Sequence, residues 1–245
     1  MIFHEDFGKH LRLGNWMFKI AFSERLKDTF GLQTLYPKDY YFWKYLHKAP
    51  NFIEDYPRDN PKEVIKFPWE FSQEAFTEGT NKIIENEKKG IDTVISIDSF
   101  FQSDAWFRSL SSFFIYDDTC LADIYRKYQE KYPSLFTRRV IGISIRLGDF
   151  LGHETFAQIL PHWYLYILKK YSWDNPAYFN VLVFSDDIEA AKKYFKNQPN
   201  FYYVDANNTH LHTDNFAHYH GDAGEHMLLP HFCTHMIIGN STFSW

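Results

Sequence analysis

The chain has little of what a disulfide scaffold, a zinc module or a membrane protein requires. Only two cysteines, Cys120 and Cys233, occur in 245 residues. They lie far apart and outside any metal-type spacing, which excludes a stapled mini-domain and fits a reducing compartment. No stretch approaches the ~18 uninterrupted apolar residues of a membrane-spanning helix. The N-terminal run MIFHEDFGKHLRLGN also lacks the apolar centre of a secretory signal. A soluble, cytoplasmic protein without a membrane span is therefore expected. The net charge of −5 leaves no electrostatic footprint for nucleic acid. Internal repeats and low-complexity tracts are absent.

Aromatics, by contrast, are abundant at 20%, with 25 Phe and 17 Tyr; they fit either aromatic cores or a carbohydrate-facing surface. Met17, Phe18, Ala21, Phe22 and Leu26 recur at helical spacing and predict an amphipathic helix over 15–30. Residues 35–75 carry Pro37, Pro50, Pro57, Pro61 and Pro68 and read as an irregular, surface-covering segment. A polar helix to Lys89, a strand at 93–97 and a helix at 119–131 follow, the last ended by Pro133. Beyond it strands alternate with helices: strands at 139–145, 180–184, 201–204 and 235–238, helices at 161–171, 187–196 and 222–233. Alternation of this kind predicts an α/β fold with a parallel sheet. The domains are placed at 1–135 and 136–245.

The run Val140-Ile-Gly-Ile-Ser-Ile-Arg-Leu-Gly-Asp-Phe150 reads as a buried strand ending in an arginine. A guanidinium needs a partner at such a place. In open parallel sheets ligands bind at the carboxyl ends of the strands. Three of those ends are polar here: Arg146-Leu-Gly-Asp149, Ser185-Asp-Asp187 and Gly239-Asn-Ser-Thr242. An arginine beside glycine and small hydroxyl residues suits phosphate, so the cluster points to a nucleotide or nucleotide-sugar pocket. A structural ion pair for Arg146 is the competing use of the same residue.

Four segments, in order, resemble the glycosyltransferase family 11 α-1,2-fucosyltransferases and their relatives. They are Leu13-Gly14-Asn15-Trp16-Met17-Phe18, Ser99-Phe-Phe-Gln102-Ser103, Ser144-Ile-Arg146-Leu-Gly148-Asp149-Phe150, and Cys233-Thr-His235-Met-Ile-Ile-Gly-Asn240-Ser241-Thr242-Phe243-Ser244-Trp245. The resemblance implies a GT-B-like fold of two Rossmann-like domains facing a cleft, the C-terminal one holding GDP-fucose. It also implies an inverting transfer of fucose to a glycan acceptor, α-1,2 to galactose, with no metal and no cofactor beyond the donor substrate. Gly14, Asn15, Arg146, Asn240, Ser241, Thr242 and Ser244 are the donor contacts it implies. This chain departs from the family's pattern in having Ser144 for a histidine, Leu147 for a second arginine and Trp16 for a glutamine. It ends at Trp245, inside a motif that the family continues, so a shortened C-terminal part is expected.

Two carboxylates follow Arg146. Glu154, eight residues on, is the candidate general base by analogy with related α-1,6-fucosyltransferases; Asp149 serves catalysis or its own turn. One of Asp186 and Asp187 is assigned to a ribose or guanine donor group, with the N-cap of the next helix as the alternative. Seven of the twelve histidines lie between 210 and 235 and would suggest a metallohydrolase if they converged; no His-Glu-x-x-His spacing accompanies them. A nucleotide-sugar-binding module without turnover is the third reading.

Overall fold

In a computed structural model, the chain is described at residues 1–5, 7, 13–53, 63–67, 72–96, 98–99, 101, 113–148, 159–196, 198–204 and 226–239. These fall into two compact units, Met1–Asp117 and Asp118 onward.

The first unit runs β1 (Ile2–His4), α1 (Leu13–Phe30), β2 (Tyr36–Pro37), β3 (Phe52–Ile53), β4 (Glu63–Ile65), α2 (Gln73–Lys88) and β5 (Thr93–Ile95). β5 lies between β1 and β4, all parallel. α1 buries Phe18, Ala21, Phe22 and Leu26 in one cluster with Ile2, Ile65, Ile83 and Ile95, the face its periodicity predicts. β1 and β4 were not anticipated. The stretch after α1 also differs from expectation, because Tyr36, Phe42, Trp43, Tyr45 and Leu46 are buried. The aromatic rings among them join Phe7 and Trp16, with Phe7 4.4 Å from Trp16 and 5.8 Å from Trp43. The prolines break regular structure there without bringing the aromatics to the surface, since burying a large ring outweighs the loss of a ladder.

The second unit runs α3 (Asp118–Lys131), β6 (Arg139–Ile145), α4 (Pro161–Lys170), β7 (Phe179–Ser185), α5 (Ile188–Tyr194), β8 (Phe201–Tyr203) and β9 (His235–Ile237). Its sheet is parallel throughout, in the order β8-β7-β6-β9. The unit boundary lies one helix earlier than the expected 135/136. α3 belongs with the sheet: Tyr128 is fully buried, Tyr125 stacks on Phe136 at 4.4 Å, and the Tyr132 hydroxyl donates to Tyr203 O at 3.0 Å. Pro133 ends the helix, as expected, but not the domain. The expected 222–233 helix is described only from 226 and closes as a 3-10 turn at Leu229–Phe232. On one face of the sheet Ile141, Ile143, Ile145, Val181 and Val183 pack under Tyr164 and Leu168 of α4 and Ala191 and Phe195 of α5.

Candidate functional site

At the carboxyl edge of the second sheet the parallel register sets Ile145 beside Ser185, so the next residues, Arg146 and Asp186, emerge side by side. Asp186 takes three donors. Leu147 N–H bonds its Oδ1 at 2.8 Å, Gly148 N–H bonds Oδ2 at 3.1 Å, and Arg146 Nε lies 3.0 Å from Oδ2. The carboxylate thus holds the whole Arg-Leu-Gly turn as well as its cation. The Asp186 side chain is 8% exposed and that of Arg146 15%, so the pair sits at the rim of the core. A guanidinium bound through Nε carries its four other N–H groups on the two Nη nitrogens. Of the alternatives open for Arg146, the structural ion pair is present, and it also orients the side chain.

Asp187 does different work: its Oδ1 accepts from Ala190 N–H at 2.9 Å and caps α5. Leu147, at the position of the family's second arginine, is fully buried in the sheet's apolar cluster. On the other side of β6 a Cβ placed on Gly239 would meet the Tyr164 hydroxyl at 2.8 Å and Ser144 O at 3.2 Å. The same hydroxyl donates to Ser144 O at 3.1 Å. Gly239 is required for this approach to the strand end that carries Arg146.

Asp149, Glu154, Asn240, Ser241, Thr242 and Ser244 lie outside the described residues. Gly14 and Asn15 fall in the first turn of α1 rather than in a turn before it. Of the seven clustered histidines, His226, His231 and His235 are described. The ring of His235 packs on Trp173 at 4.6 Å, a structural role. Among the described residues no group of three His, Cys, Asp or Glu could hold a metal ion, and no helix is long and apolar enough to cross a membrane.

The first unit has a polar cluster of its own that the sequence reading missed. Lys19, fully buried, donates to Ser96 O at 2.9 Å and sits 5.2 Å over the Trp16 ring. Burial pushes its pKa down to about 7, against the pull of Glu5 and Asp98. His4, whose Nε2 is 2.6 Å from Ser23 Oγ, is held well below the usual histidine range by burial and by Lys19. The helical spacing sets Lys19 and Glu24 off the apolar face of α1, but the helix is buried on most sides and both are enclosed.

No family model matches the chain. It is 33% identical over 106 residues to the O-antigen biosynthesis glycosyltransferase WbnK of Escherichia coli, a match spanning 42% of this chain and 32% of that protein. Solved structures similar to it include the α-1,6-fucosyltransferase NodZ soaked with GDP-fucose, at TM-score 0.55 and 15% identity, and NodZ co-crystallised with GDP, at 0.54 and 15%. Each covers 99% of this chain and 89% of the other. The Bradyrhizobium fucosyltransferase NodZ matches at TM-score 0.55 and 13% identity, covering 99% and 90%. The fold is α/β and GT-B-like. Both parallel sheets described above belong to that architecture, as the sequence motifs led us to expect.

Proposed function

We propose that this chain is a glycosyltransferase that moves fucose from GDP-fucose to a hydroxyl of a glycan acceptor, with inversion and without a metal ion. The observation that carries the reading is the joining of three strand ends at one sheet edge: Arg146 fixed by Asp186, and Gly239 packed against Ser144. A fold shared with NodZ structures containing GDP-fucose and GDP supports it, as does the partial match to WbnK. The second unit takes the nucleotide sugar and the first the acceptor; α-1,2 transfer to galactose and a cytoplasmic setting complete the proposal.

In the reaction the acceptor oxygen bonds to C1 of fucose as the C1–O bond to the β-phosphate breaks. The bonding electrons leave with GDP. Negative charge grows on the departing phosphate, and fixed cations and N–H or O–H donors lower its energy most. Arg146 fills that role, joined by Asn240, Ser241, Thr242 and Ser244 beyond Gly239, and by Asn15 and the Gly14 turn of α1. Asp186 acts through Arg146 as a positioning residue rather than on the ribose. The acceptor proton goes to Glu154, with Asp149 as the nearer carboxylate, or to the leaving phosphate.

Arg146→Ala is expected to lower transfer by about 2 kcal/mol or more, roughly thirtyfold, measured as GDP release with a galactoside panel. Normal turnover in that variant refutes the assignment. The burial of Leu147 favours a second reading, a donor-binding module, since the family's second arginine has no counterpart at the edge. GDP binding by calorimetry with no GDP release from GDP-fucose on any acceptor would select it.

A further inference from the structure

We propose that the amino-terminal edge of the second unit's sheet, opposite the Arg146 edge, docks on an anionic lipid bilayer. α4 and α5 cover the same sheet face and both run back from the carboxyl edge to the amino edge. Each ends in Lys-Lys-Tyr: Lys169-Lys170-Tyr171 and Lys192-Lys193-Tyr194, all six exposed. Tyr171 is 54% exposed, Tyr194 47%, and Tyr178, which leads into β7 at the same edge, 66%. Arg138 and Arg139 enter β6 there and are exposed too. Within residues 169–178 and 192–200, Asp174 is the only acidic residue, in a chain whose net charge is −5. The acid nearest on α5, Glu189, pairs with Lys192 at 2.7 Å on the surface, which leaves the other lysines to set the field of this edge.

Helix dipoles account for cations in last turns, but they do not account for three exposed tyrosines beside them, of which Tyr171 stacks on Trp173 at 4.9 Å. Lysine and arginine with exposed aromatics is the combination that sits at a bilayer interface: the ring enters the headgroup layer and the cations meet anionic lipid. A neutral glycan would use the rings and have no need of the charges. Docked this way, the seven-residue strands β6 and β7 would hold the Arg146 edge about 23 Å from the membrane, open to water. The inference does not depend on which sugar is transferred.

The test is sedimentation of the whole chain with vesicles of neutral phosphatidylcholine, alone or with about one third phosphatidylglycerol. Binding to the anionic vesicles only, weakening between ~0.05 and ~0.5 M salt, is expected. Each lysine near the surface counts for about fivefold, so Lys169→Glu/Lys170→Glu/Lys193→Glu should lower partitioning at least a hundredfold. Tyr171→Ser/Tyr178→Ser/Tyr194→Ser should lower it further at unchanged charge. Unchanged melting and GDP binding in both variants serve as the control of folding, and the salt series on the unaltered chain stands without them. Failure to bind anionic vesicles overturns the proposal. So does full binding by the tyrosine variant with displacement by heparin, which would mark a site for soluble polyanions.

Discussion

Asp186→Asn separates a positioning role from plain structural support. The carboxylate accepts from two backbone N–H groups and one guanidinium N–H, at 2.8, 3.1 and 3.0 Å. An asparagine can keep one acceptor, on Leu147 N–H, but its amide then presents N–H₂ to Gly148 N–H and Arg146 Nε, both donors. Two bonds to a charged group are lost, each worth about 1.5–3 kcal/mol. Because the Arg146 side chain is 15% exposed and solvent screens part of the pair, about 3 kcal/mol is the working figure. If the turn's order is transmitted to the donor, GDP affinity falls about 150-fold. Calorimetry with GDP in a cycle of Asp186→Asn, Arg146→Ala and the double variant measures the coupling. The two losses should be far from additive, since the carboxylate acts through the guanidinium. Asp187→Ala is the comparison: it removes the α5 cap at Ala190 and costs about 1 kcal/mol of stability with GDP affinity kept. Wild-type GDP affinity in Asp186→Asn, or additive losses in the cycle, would refute the reasoning even if the melting temperature dropped.

Gly239→Ala forces a Cβ to 2.8 Å from the Tyr164 hydroxyl and 3.2 Å from Ser144 O; it should cost about 1–3 kcal/mol in urea unfolding. Tyr164→Phe in the same chain should return part of that loss, and wild-type stability in Gly239→Ala alone would contradict the close approach. For Lys19 the folded pKa of about 7 lies below the unfolded value of 10.5, so between these limits the unfolded chain binds more protons and stability rises with pH. The slope approaches about 1.4 kcal/mol per pH unit; Lys19→Met should flatten it, as followed by denaturant midpoints from about pH 7 to 9.5, and an unchanged slope would place the charge elsewhere. Cys233 is half-buried and its thiol is pushed up to about 12, so iodoacetamide at about pH 8 should modify it only slowly in the folded protein; rapid alkylation at Cys233 itself, located by peptide mapping, would contradict the raised pKa.

The second unit was legible because its signals are long. The apolar run of β6, from Val140 to Ile145, and the strand-helix alternation after it admit few other folds. The first unit was less so. β1 and β4 have three residues each, no fewer than β5, β8 and β9, but no strand-helix alternation flags them, and β4 sits among prolines that argue against any strand. The burial of Tyr36, Phe42 and Trp43 is tertiary: nothing in their spacing says which rings they meet. Asp186 shows the limit at the site itself. Two adjacent aspartates before a helix are equivalent as text, and either could be the cap. Register decides between them, because pairing Ile145 with Ser185 sets Asp186 opposite Arg146 and leaves Asp187 to α5.

That register has a chemical consequence for the edge. A glycine-bearing turn after a strand ordinarily offers its backbone N–H groups to phosphate, yet here the N–H groups of Leu147 and Gly148 are both taken by Asp186. With Leu147 buried in place of a second cation, β6 can offer a diphosphate one side chain, Arg146, already balanced by a carboxylate. A balanced pair has little pull on anions in general; it rewards only a ligand placed on the outer part of the guanidinium. The missing Cβ of Gly239 lets its backbone lie against Ser144, and in the proposed reaction the remaining donors come from the residues that follow it. In the proposed reaction, selectivity for a phosphate held at one spot is therefore set by Asp186 and Gly239 together, the first by removing alternative contacts and the second by its close approach to the strand end that carries Arg146.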